Sequence, residues 1–258
     1  MDLQLGGRHV VVAGASGVLG QAIARGLAAA RAQLTLLARD IAALDALTDA
    51  LRKLGSPQVA SLPCDLCDEH ATATVLQAAD IAFGPIDVLV CAAGAAQGGL
   101  FWEIDDAAWR RNLEVKLFGT LNALRAVAPR MVERRAGRIV LVVGNSARDP
   151  DPRMLPGAAA NAALLAVVSG LAKEFAPHGV AINAVNPGPV RSARWDRLMQ
   201  AEAAREGISA AAAEARALAR MGMQRLVAPD EVAAAVLRLA ATGADAVNGA
   251  AVPVEGRP

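Results

Sequence analysis

A short apolar run at residues 10–13 is followed by glycines at three-residue intervals, Gly14, Gly17 and Gly20. Glycines at this spacing let a strand turn tightly into a helix and bring backbone N–H groups close to a ligand. These groups, together with the positive end of the helix dipole, stabilise a bound pyrophosphate. We therefore predict a dinucleotide site in this turn, with Leu19 among its residues. A glycine-rich turn without a ligand is the alternative.

The residue at the end of the second predicted strand sets the ribose preference of such a site. Here this residue is Arg39. An acidic side chain at this point binds a free 2′-hydroxyl, whereas an arginine suits a 2′-phosphate. We predict NADP(H) in preference to NAD(H), with the adenosine phosphate bound by Arg39 and Ser16. Two alternatives stay open: the adjacent Asp40 could blur the preference, and Arg39 could be a surface residue without a ligand.

Few side chains in this sequence can transfer a proton near neutral pH. The chain has no tyrosine, and its lysines are Lys53, Lys116 and Lys173. His178 lies in a Pro-His-Gly sequence that is typical of a surface turn. A lysine in an apolar cleft beside a cationic ring has a lowered pKa and can donate or accept a proton. A phenol is thus excluded as the acid, and a lysine is one of the side chains that could serve instead.

Short apolar runs alternate with longer amphipathic segments along the chain. The runs predict strands at residues 10–13, 33–37, 59–63, 88–92, 138–143, 181–185 and 251–254. The segments predict helices at residues 21–30, 41–54, 71–83, 107–132, 161–175 and 231–240. Strict alternation implies right-handed crossovers and an α/β fold with a doubly wound parallel sheet, the Rossmann fold. The exception is the Ala- and Arg-rich segment 194–222, which we predict to be a loop insertion over the substrate.

The composition favours one domain over residues 1–258. A hydrophobic fraction of 54% with 3% aromatics indicates helices packed closely on a parallel sheet. The 26 basic and 25 acidic residues leave a net charge of +1, so we predict neither a nucleic-acid partner nor an anionic membrane surface. Residues 154–172 are uncharged, but they include Pro156, Gly157 and Gly170. We therefore expect a buried or subunit-interface helix there instead of a membrane span.

The cysteines and the N-terminal sequence indicate the compartment. Cys64, Cys67 and Cys91 are odd in number, which favours a reducing environment. The first residues show no basic leader followed by an apolar run. We predict a cytoplasmic protein. The Cys64-x-x-Cys67 spacing suits a metal or redox site, but no second ligand pair accompanies it, so we predict no metal.

From about Val10 to Glu255 the chain resembles the short-chain dehydrogenase/reductases. Beyond the glycine turn, the positions that carry the resemblance are Asp65, Leu66, Ala92, Ala93, Gly94, Pro187, Gly188, Val190 and Ser192. The resemblance implies that Asp65 lies beside the adenine. It also implies that the backbone of residues 183–192 and the Ser192 hydroxyl hold the nicotinamide amide. The expected activity is hydride transfer with a nicotinamide dinucleotide.

The catalytic positions of that family carry other residues here. Aligning the strand at residues 137–140 puts Gly144 at the family's Ser, Gly157 at its Tyr and Asn161 at its Lys. The family's catalytic Asn falls on Lys116, so that Asn and Lys have exchanged places. This exchange predicts a Lys116–Asn161 pair facing the nicotinamide, with Lys116 as the proton donor. The alternative is that Lys116 binds only the cofactor's ribose.

Glycine in place of Ser and Tyr removes two hydroxyls that would polarise a carbonyl, and we expect it to leave extra room. Losing such a donor typically costs about 2.7–4 kcal/mol. The candidates to replace the hydroxyls are Lys116, Asn145, Ser146 and Arg153. An enone or quinone would need the donors least, because delocalisation stabilises the charge that hydride addition creates.

Two functions follow from this sequence. The first is an NADP(H)-dependent oxidoreductase acting on a small organic carbonyl, enone or quinone, with a proton donor other than tyrosine. The alternative is a catalytically silent dinucleotide-binding protein that serves as a sensor or partner subunit. In either case we predict a homo-oligomer, a tetramer or a dimer, because the helices at 107–132 and 161–175 carry too many apolar residues for one buried face.

Overall fold

Seven parallel strands form one sheet in the computed structural model, which describes residues 3–94, 98–241 and 246–257. The strands are β1 (His9–Ala13), β2 (Gln33–Ala38), β3 (Val59–Pro63), β4 (Val88–Cys91), β5 (Gly137–Val142), β6 (Val180–Pro187) and β7 (Ala251–Val254). Their order is β3-β2-β1-β4-β5-β6-β7. The chain thus winds outward from β1 in one direction and from β4 in the other, which confirms the predicted doubly wound α/β fold.

Helices cover both faces of this sheet. They are α1 (Val18–Ala29), α2 (Ile41–Leu54), α3 (Glu69–Phe83), α4 (Asp106–Leu113), α5 (Gly119–Glu133), α6 (Leu155–Phe175), α7 (Ala193–Glu206), α8 (Ala210–Arg220) and α9 (Pro229–Ala240). Side chains alternate between the two faces along each strand. Val10 and Val12 of β1 belong to the core under α1, α2 and α9. Val11 and Ala13 belong to the core under α3, α5 and α6.

The predicted long helix at residues 107–132 is only partly right. Between α4 and α5 the chain forms a π-helical segment, Glu114–Phe118. The N–H of Gly119 donates to the carbonyl of Glu114, which closes a wider turn than that of an α-helix. Such segments are frequent at functional sites. Lys116 lies in the middle of this one.

Two segments are more helical than the sequence pattern predicts. Helix α6 begins at Leu155, so Gly157 lies within it and not in a preceding loop. The segment 194–222, predicted to be a loop, consists largely of α7 and α8. Its many alanines favour helix, and the Ser192 and Ser209 side chains cap the two N-termini. The loop prediction was therefore wrong for most of the insertion.

One helix in the described part of the chain, Leu155–His178, is long and apolar enough to cross a membrane by length and composition. The core helix of a soluble protein has the same properties. Within this fold the helix packs against β6, α4 and the π-helical segment. Part of its apolar surface is thus buried inside the domain.

Candidate active site

The turn between β1 and α1 requires glycine at two of its three glycine positions. Gly14 has a φ of +86°, and a Cβ there would lie 2.5 Å from the backbone nitrogen of Ala93. A Cβ at Gly20 would overlap the carbonyl oxygen of Gly14. Gly17 is exposed and caps α1 without a side-chain hydrogen bond. The start of α1 therefore offers backbone N–H groups to an anion, and this arrangement fits a pyrophosphate.

This turn lies where the winding of the sheet reverses. Gly14 packs against the segment that follows β4, in which Ala92 and Ala93 are half-buried and Gly94 is exposed. Ligands of doubly wound sheets bind at this point, outside the carboxyl ends of the strands. The structure thus brings together the predicted cofactor residues from the two segments. Leu19 is half-buried in the first turn of α1.

Arg39 and Asp40 follow β2, and their side chains differ in the contacts that they make. The Asp40 carboxylate accepts the N–H of Ala43 at 3.0 Å and so caps α2. Arg39 is exposed and has neither an ion pair nor a hydrogen bond within the described residues. Asp65, exposed after β3, accepts the N–H of Cys67 at 3.1 Å. This edge therefore offers a guanidinium without a hydrogen-bond or ion-pair partner among the described residues, while one oxygen of the Asp40 carboxylate caps α2.

Two further cofactor positions are less exposed. Ser16 is half-buried in the glycine turn, and its carbonyl accepts a hydrogen bond from Gln21 Nε2 at 2.9 Å. Leu66 is buried, and its carbonyl accepts a hydrogen bond from Asn122 Nδ2 at 2.9 Å. The backbone on both sides of the proposed adenosine site is thus fixed by side-chain amides.

The Lys116 ammonium lies at the carboxyl ends of β4 and β5. It donates to the carbonyl of Ala93 at 3.2 Å and to the carbonyl of Val142 at 2.7 Å. A Cβ on Gly94 would lie 3.4 Å from Lys116 Nζ. An ammonium has three N–H donors, so one is left for a ligand. The π-helical segment thus delivers a cation to the edge where the glycine turn also lies.

Burial lowers the pKa of Lys116 to about 8. The charge of Arg194, in the first turn of α7, contributes to this lowering of the pKa. The adjacent Cys91 thiol is buried, which raises its pKa to about 12, so it stays neutral and gives Lys116 no counter-ion near pH 7. An amine with a pKa near the working pH is suited to proton transfer.

Asn161 is buried in α6, and its amide faces the end of β5. Its Nδ2 donates to Ser146 Oγ at 3.0 Å, and its Oδ1 has no hydrogen-bond partner within the described residues. A Cβ added to Gly144 would lie 2.9 Å from Asn161 Nδ2. The expected extra room at Gly144 is therefore absent, because the Asn161 amide fills it.

Lys116 and Asn161 do not hydrogen-bond each other within the described residues, and their pairing toward the nicotinamide stays a prediction. Both side chains reach the end of β5, but each hydrogen-bonds other groups. Backbone carbonyls are good acceptors for an ammonium, and Val142 and Ala93 occupy two of its donors. The Asn161 amide is turned toward Ser146 instead.

Asn145 and Ser192 are held by the segments around them. Asn145 Nδ2 donates to Glu255 Oε1 at 3.3 Å. The Ser192 hydroxyl donates to the carbonyl of Val190 at 3.2 Å and accepts the N–H of Trp195 at 3.2 Å. Ser192 therefore fixes the loop after β6, whereas Asn145 links the segment after β5 to the segment after β7. The Ser192 oxygen still has one lone pair for a ligand.

The backbone of this loop is fixed by neighbouring strands. Pro187 is the last residue of β6, and the N–H of Gly188 donates to the carbonyl of Val254 at 2.9 Å. Val190 forms an isolated parallel bridge with Val227. The stretch predicted to hold the nicotinamide amide is thus rigid and lies beside the ends of β5 and β7.

Arg153, one of the expected donors to the substrate, serves a different contact. Its guanidinium lies 3.8 Å from Glu202 of α7, which also forms an ion pair with Arg220 at 3.1 Å. The Arg153 carbonyl accepts the N–H of Gly99 at 2.9 Å. Arg153 therefore ties the α7–α8 insertion to the segment that precedes α6.

Asn186 has a position at the site that sequence reasoning missed. It is buried, its Nδ2 donates to the carbonyl of Val143 at 2.8 Å, and its Oδ1 has no partner within residues 3–94, 98–241 and 246–257. The available signal was a polar residue near the end of the largely apolar β6. Asn183 of the same strand differs, because it donates to the carbonyl of Val247 and accepts the N–H of Ala250. Asn183 is therefore structural.

The comparisons with known proteins agree with this architecture. The chain matches the family described as short chain dehydrogenase over residues 8–203. Galactitol 2-dehydrogenase (L-tagatose-forming) of Cereibacter sphaeroides is 33% identical over 256 residues, covering 98% of this chain and 95% of that protein. L-Sorbose reductase from Gluconobacter frateurii, complexed with NADPH and L-sorbose, is 25% identical with a TM-score of 0.90, covering 100% of this chain and 98% of that one.

A solved structure with a different cofactor has the same fold. NAD+-bound xylitol dehydrogenase superposes with a TM-score of 0.92 over 98% of this chain and 99% of that one, at 24% identity. A dinucleotide cofactor is therefore common to these neighbours, while its 2′-phosphate is not. Taken with the glycine turn and the strand order, these matches show that the chain belongs to the short chain dehydrogenase family of NAD(P)-dependent oxidoreductases.

Proposed function

We propose that this protein is an NADP(H)-dependent oxidoreductase in which Lys116 is the proton donor to a small carbonyl, enone or quinone substrate. The observation that carries the proposal is the position of the Lys116 ammonium. It lies at the carboxyl ends of β4 and β5, it has a pKa of about 8, and two carbonyls use only two of its three donors.

Binding of the cofactor would fall to the backbone of the glycine turn, to Arg39 and Asp65, and to the loop after β6. When bound, the reduced nicotinamide supplies a hydride to the substrate carbon. Lys116 supplies the proton that turns the resulting alkoxide into an alcohol, and its pKa of about 8 keeps it mostly protonated at pH 7. A nearby positive charge, such as that of Arg194, makes this proton easier to release.

The donors around Lys116 limit the substrate. This chain has no tyrosine, and the position aligned with the family's Ser is Gly144. The Asn161 amide, next to Gly144, has one N–H not used by Ser146 and can donate to a carbonyl oxygen. Galactitol 2-dehydrogenase and L-sorbose reductase, by their names, act on polyhydroxy compounds. We propose small carbonyl compounds as the substrate class, with enones and quinones as those that need the fewest donors.

The preference for NADP(H) is supported by the different contacts of the Arg39 and Asp40 side chains. Arg39 has no partner within the described residues, whereas Asp40 caps α2. The NADPH in the L-sorbose reductase structure is compatible with this preference, although the xylitol dehydrogenase structure holds NAD+. Titration with NADPH and NADH tests it. Equal dissociation constants would contradict the role of Arg39.

Turnover is tested by NADPH oxidation with a panel of ketones, enones and quinones. We expect slow oxidation with at least one class, and loss of that activity in Lys116→Met with NADPH binding retained. If wild type binds NADPH but reduces no member of the panel, the silent dinucleotide-binding protein becomes the better description. Parallel loss of binding and activity in Lys116→Met would make Lys116 a ribose-binding residue.

We also propose a cytoplasmic homo-oligomer without nucleic-acid or membrane partners. Ala162 and Ala166 of α6 are exposed, and Phe118 and Trp102 are 44% and 78% exposed. A second copy of the chain would cover such apolar surfaces. The three cysteines are free, as expected in a reducing compartment. A monomer mass by light scattering at micromolar concentration would reject the oligomer.

A further inference from the structure

A cavity of about 250 Å³ lies at the amino ends of the strands, whereas the candidate active site lies at their carboxyl ends. Arg8 precedes β1, Asp87 precedes β4, and Arg138 is the second residue of β5; all three line this cavity. The buried side chains of Leu5 and Val88 form part of its wall. Ligand pockets usually measure about 300–1,000 Å³, so this cavity suits a small molecule or ion.

Basic side chains outnumber acidic ones in the lining of this cavity. Arg8, Arg135 and Arg138 line it, and Asp87 is the only acidic residue that the described part of the chain contributes. Arg135 and Arg138 belong to the arginine-rich stretch 130–138, which the proposed oxidoreductase function does not use. Guanidiniums gathered around a concave surface attract anions. The lining therefore favours an anionic ligand.

Two of these arginines are anchored beside the cavity and keep unused donors. Arg135 Nη2 donates to the carbonyl of Pro177 at 2.7 Å, and Arg135 has no acidic partner within the described residues. Arg8 Nη1 donates to Asp87 Oδ1 at 3.2 Å, while Oδ2 of Asp87 accepts the N–H of His9 at 3.0 Å. A guanidinium has five N–H donors, so most of those on Arg8 and Arg135 are left for a ligand.

Structural contacts account for other arginines of the same stretch but not for Arg135. Arg130 forms an ion pair with Asp80 at 2.7 Å, and Arg134 donates to the carbonyl of Ile86. Neither arginine lines the cavity. Arg135 has a left-handed φ of +56°, which is uncommon for a residue with a Cβ. Such residues cluster at functional sites, and this one brings its guanidinium to the cavity.

We propose that this cavity binds a phosphate group, either as free phosphate or as the monoester of a small alcohol. The phosphate oxygens accept hydrogen bonds from the unused donors of Arg8 and Arg135. A phosphate monoester has three terminal oxygens and a charge of about −1.5 to −2 at pH 7, so it can bond guanidiniums from two segments at once. A carboxylate has two oxygens and one charge, and a single guanidinium pairs with both oxygens. The three-arginine lining therefore favours phosphate.

The test is isothermal titration of the full chain with inorganic phosphate, methyl phosphate and acetate at constant ionic strength. We expect saturable phosphate binding with a dissociation constant of about 1 mM or below. The tighter of the two phosphate compounds identifies the source of the group. Arg135→Gln should weaken binding about 10- to 100-fold, the value of charge-assisted hydrogen bonds. Arg130→Gln is the matched control and should bind as wild type does, because Arg130 lies outside the lining.

Thermal melting gives a second readout, since a ligand that binds only the folded state raises the melting temperature. Phosphate should raise it in wild type and in Arg130→Gln, but much less in Arg135→Gln. Ala136→Glu adds a negative charge at an exposed position of the lining, and it should lose phosphate binding in the same way. Neither readout requires turnover, so the outcome is independent of the proposed reductase activity.

Three results would overturn the proposal. Phosphate could instead occupy the dinucleotide site, in which case Arg39→Asp would lose phosphate binding while Arg135→Gln would keep it. Equal losses in Arg130→Gln and Arg135→Gln would show attraction to surface charge without a site. Acetate binding as tight as that of phosphate, or no saturable binding of either phosphate compound, would contradict a phosphate site in this cavity.

Discussion

The glycine turn and the end of β5 form two parts of one cleft, but different contacts shape them. At the glycine turn, backbone geometry determines which residues fit. Gly14 has a left-handed φ, and a Cβ at Gly14 or Gly20 would collide with main-chain atoms. At the end of β5, side-chain hydrogen bonds determine the shape of the site, because they position Lys116 and Asn161. Backbone geometry admits few residue types, whereas hydrogen-bonding positions can be refilled by other side chains. We therefore expect substitutions to be tolerated more readily at the end of β5 than in the glycine turn.

The largest effect is expected from Gly14→Ala. A left-handed φ costs a residue with a Cβ about 1–2 kcal/mol, and the collision with Ala93 adds about 1–3 kcal/mol. Chemical denaturation should therefore show a loss of about 2–5 kcal/mol in the free energy of unfolding. Gly17→Ala is the matched control: a Cβ there has its nearest contact at 3.5 Å, so stability should change by less than about 1 kcal/mol.

The two glycine variants should also differ in how they lose the cofactor. Gly17→Ala should fold normally but bind NADPH more weakly, because its methyl group lies where the backbone approaches the pyrophosphate. A Gly14→Ala protein with the wild-type free energy of unfolding would contradict the claim that backbone geometry fixes this half of the cleft.

Lys116→Met should give the next largest effect, on rate and not on stability. Removing a general acid typically lowers the rate about 10²- to 10⁴-fold. Cofactor dissociation constants should change only a few-fold, because the glycine turn is untouched. Lys173→Met, an exposed lysine of α6, is the control and should behave as wild type in steady-state kinetics. Equal losses in the two variants would point to a general effect of charge.

Arg39→Asp should change the ratio of the NADPH and NADH dissociation constants by about 10- to 100-fold in favour of NADH, the value of a charge-assisted hydrogen bond to phosphate. Asp40→Asn is a useful comparison, since Asn also caps helices and should leave the ratio close to that of wild type. Isothermal titration of each variant with both cofactors measures this. If the ratio of the two dissociation constants changed only in Asp40→Asn, the ribose contact would be assigned to Asp40 instead of Arg39.

The smallest effect is expected from Arg194→Gln. The charge of Arg194 lowers the pKa of Lys116, so removing it should raise that pKa. The reduction rate requires protonated Lys116, so the pH at which the rate falls should move upward in the variant. Arg197→Gln, one helical turn further along α7, is the control, because the charge of Arg197 acts on Arg194 and does not shift the pKa of Lys116. A downward shift in Arg194→Gln would contradict the electrostatic description of the site.

The difference between backbone geometry and side-chain hydrogen bonds also explains which features the sequence could predict. All seven strands appear close to their predicted positions, because buried parallel strands are continuous apolar runs bounded by turns. The glycine turn was predictable because only glycine fits its backbone. The π-helical segment was not, since Glu114–Phe118 has no composition that separates it from the flanking α-helices.

The sequence predicted Lys116 and Asn161 as catalytic residues, a role that stays a prediction, but it did not predict their contacts. The exchange of Asn and Lys pointed to Lys116 and Asn161, and both reach the end of β5. They do not hydrogen-bond each other, because backbone carbonyls compete for the donors of Lys116 and Ser146 competes for the Asn161 amide. Sequence spacing does not describe that competition. It also gave no role to Asn186, whose amide depends on the carbonyl of Val143 for its position.

The central claim, that Lys116 is the acid, is tested most directly by the pH dependence of single-turnover reduction with bound NADPH. For wild type we expect a rate that is constant below pH 7 and falls about tenfold per pH unit above the Lys116 pKa of about 8. The residual rate of Lys116→Met should show no such fall. If wild type and Lys116→Met share the same pH midpoint, another group donates the proton, and the account of this site is wrong.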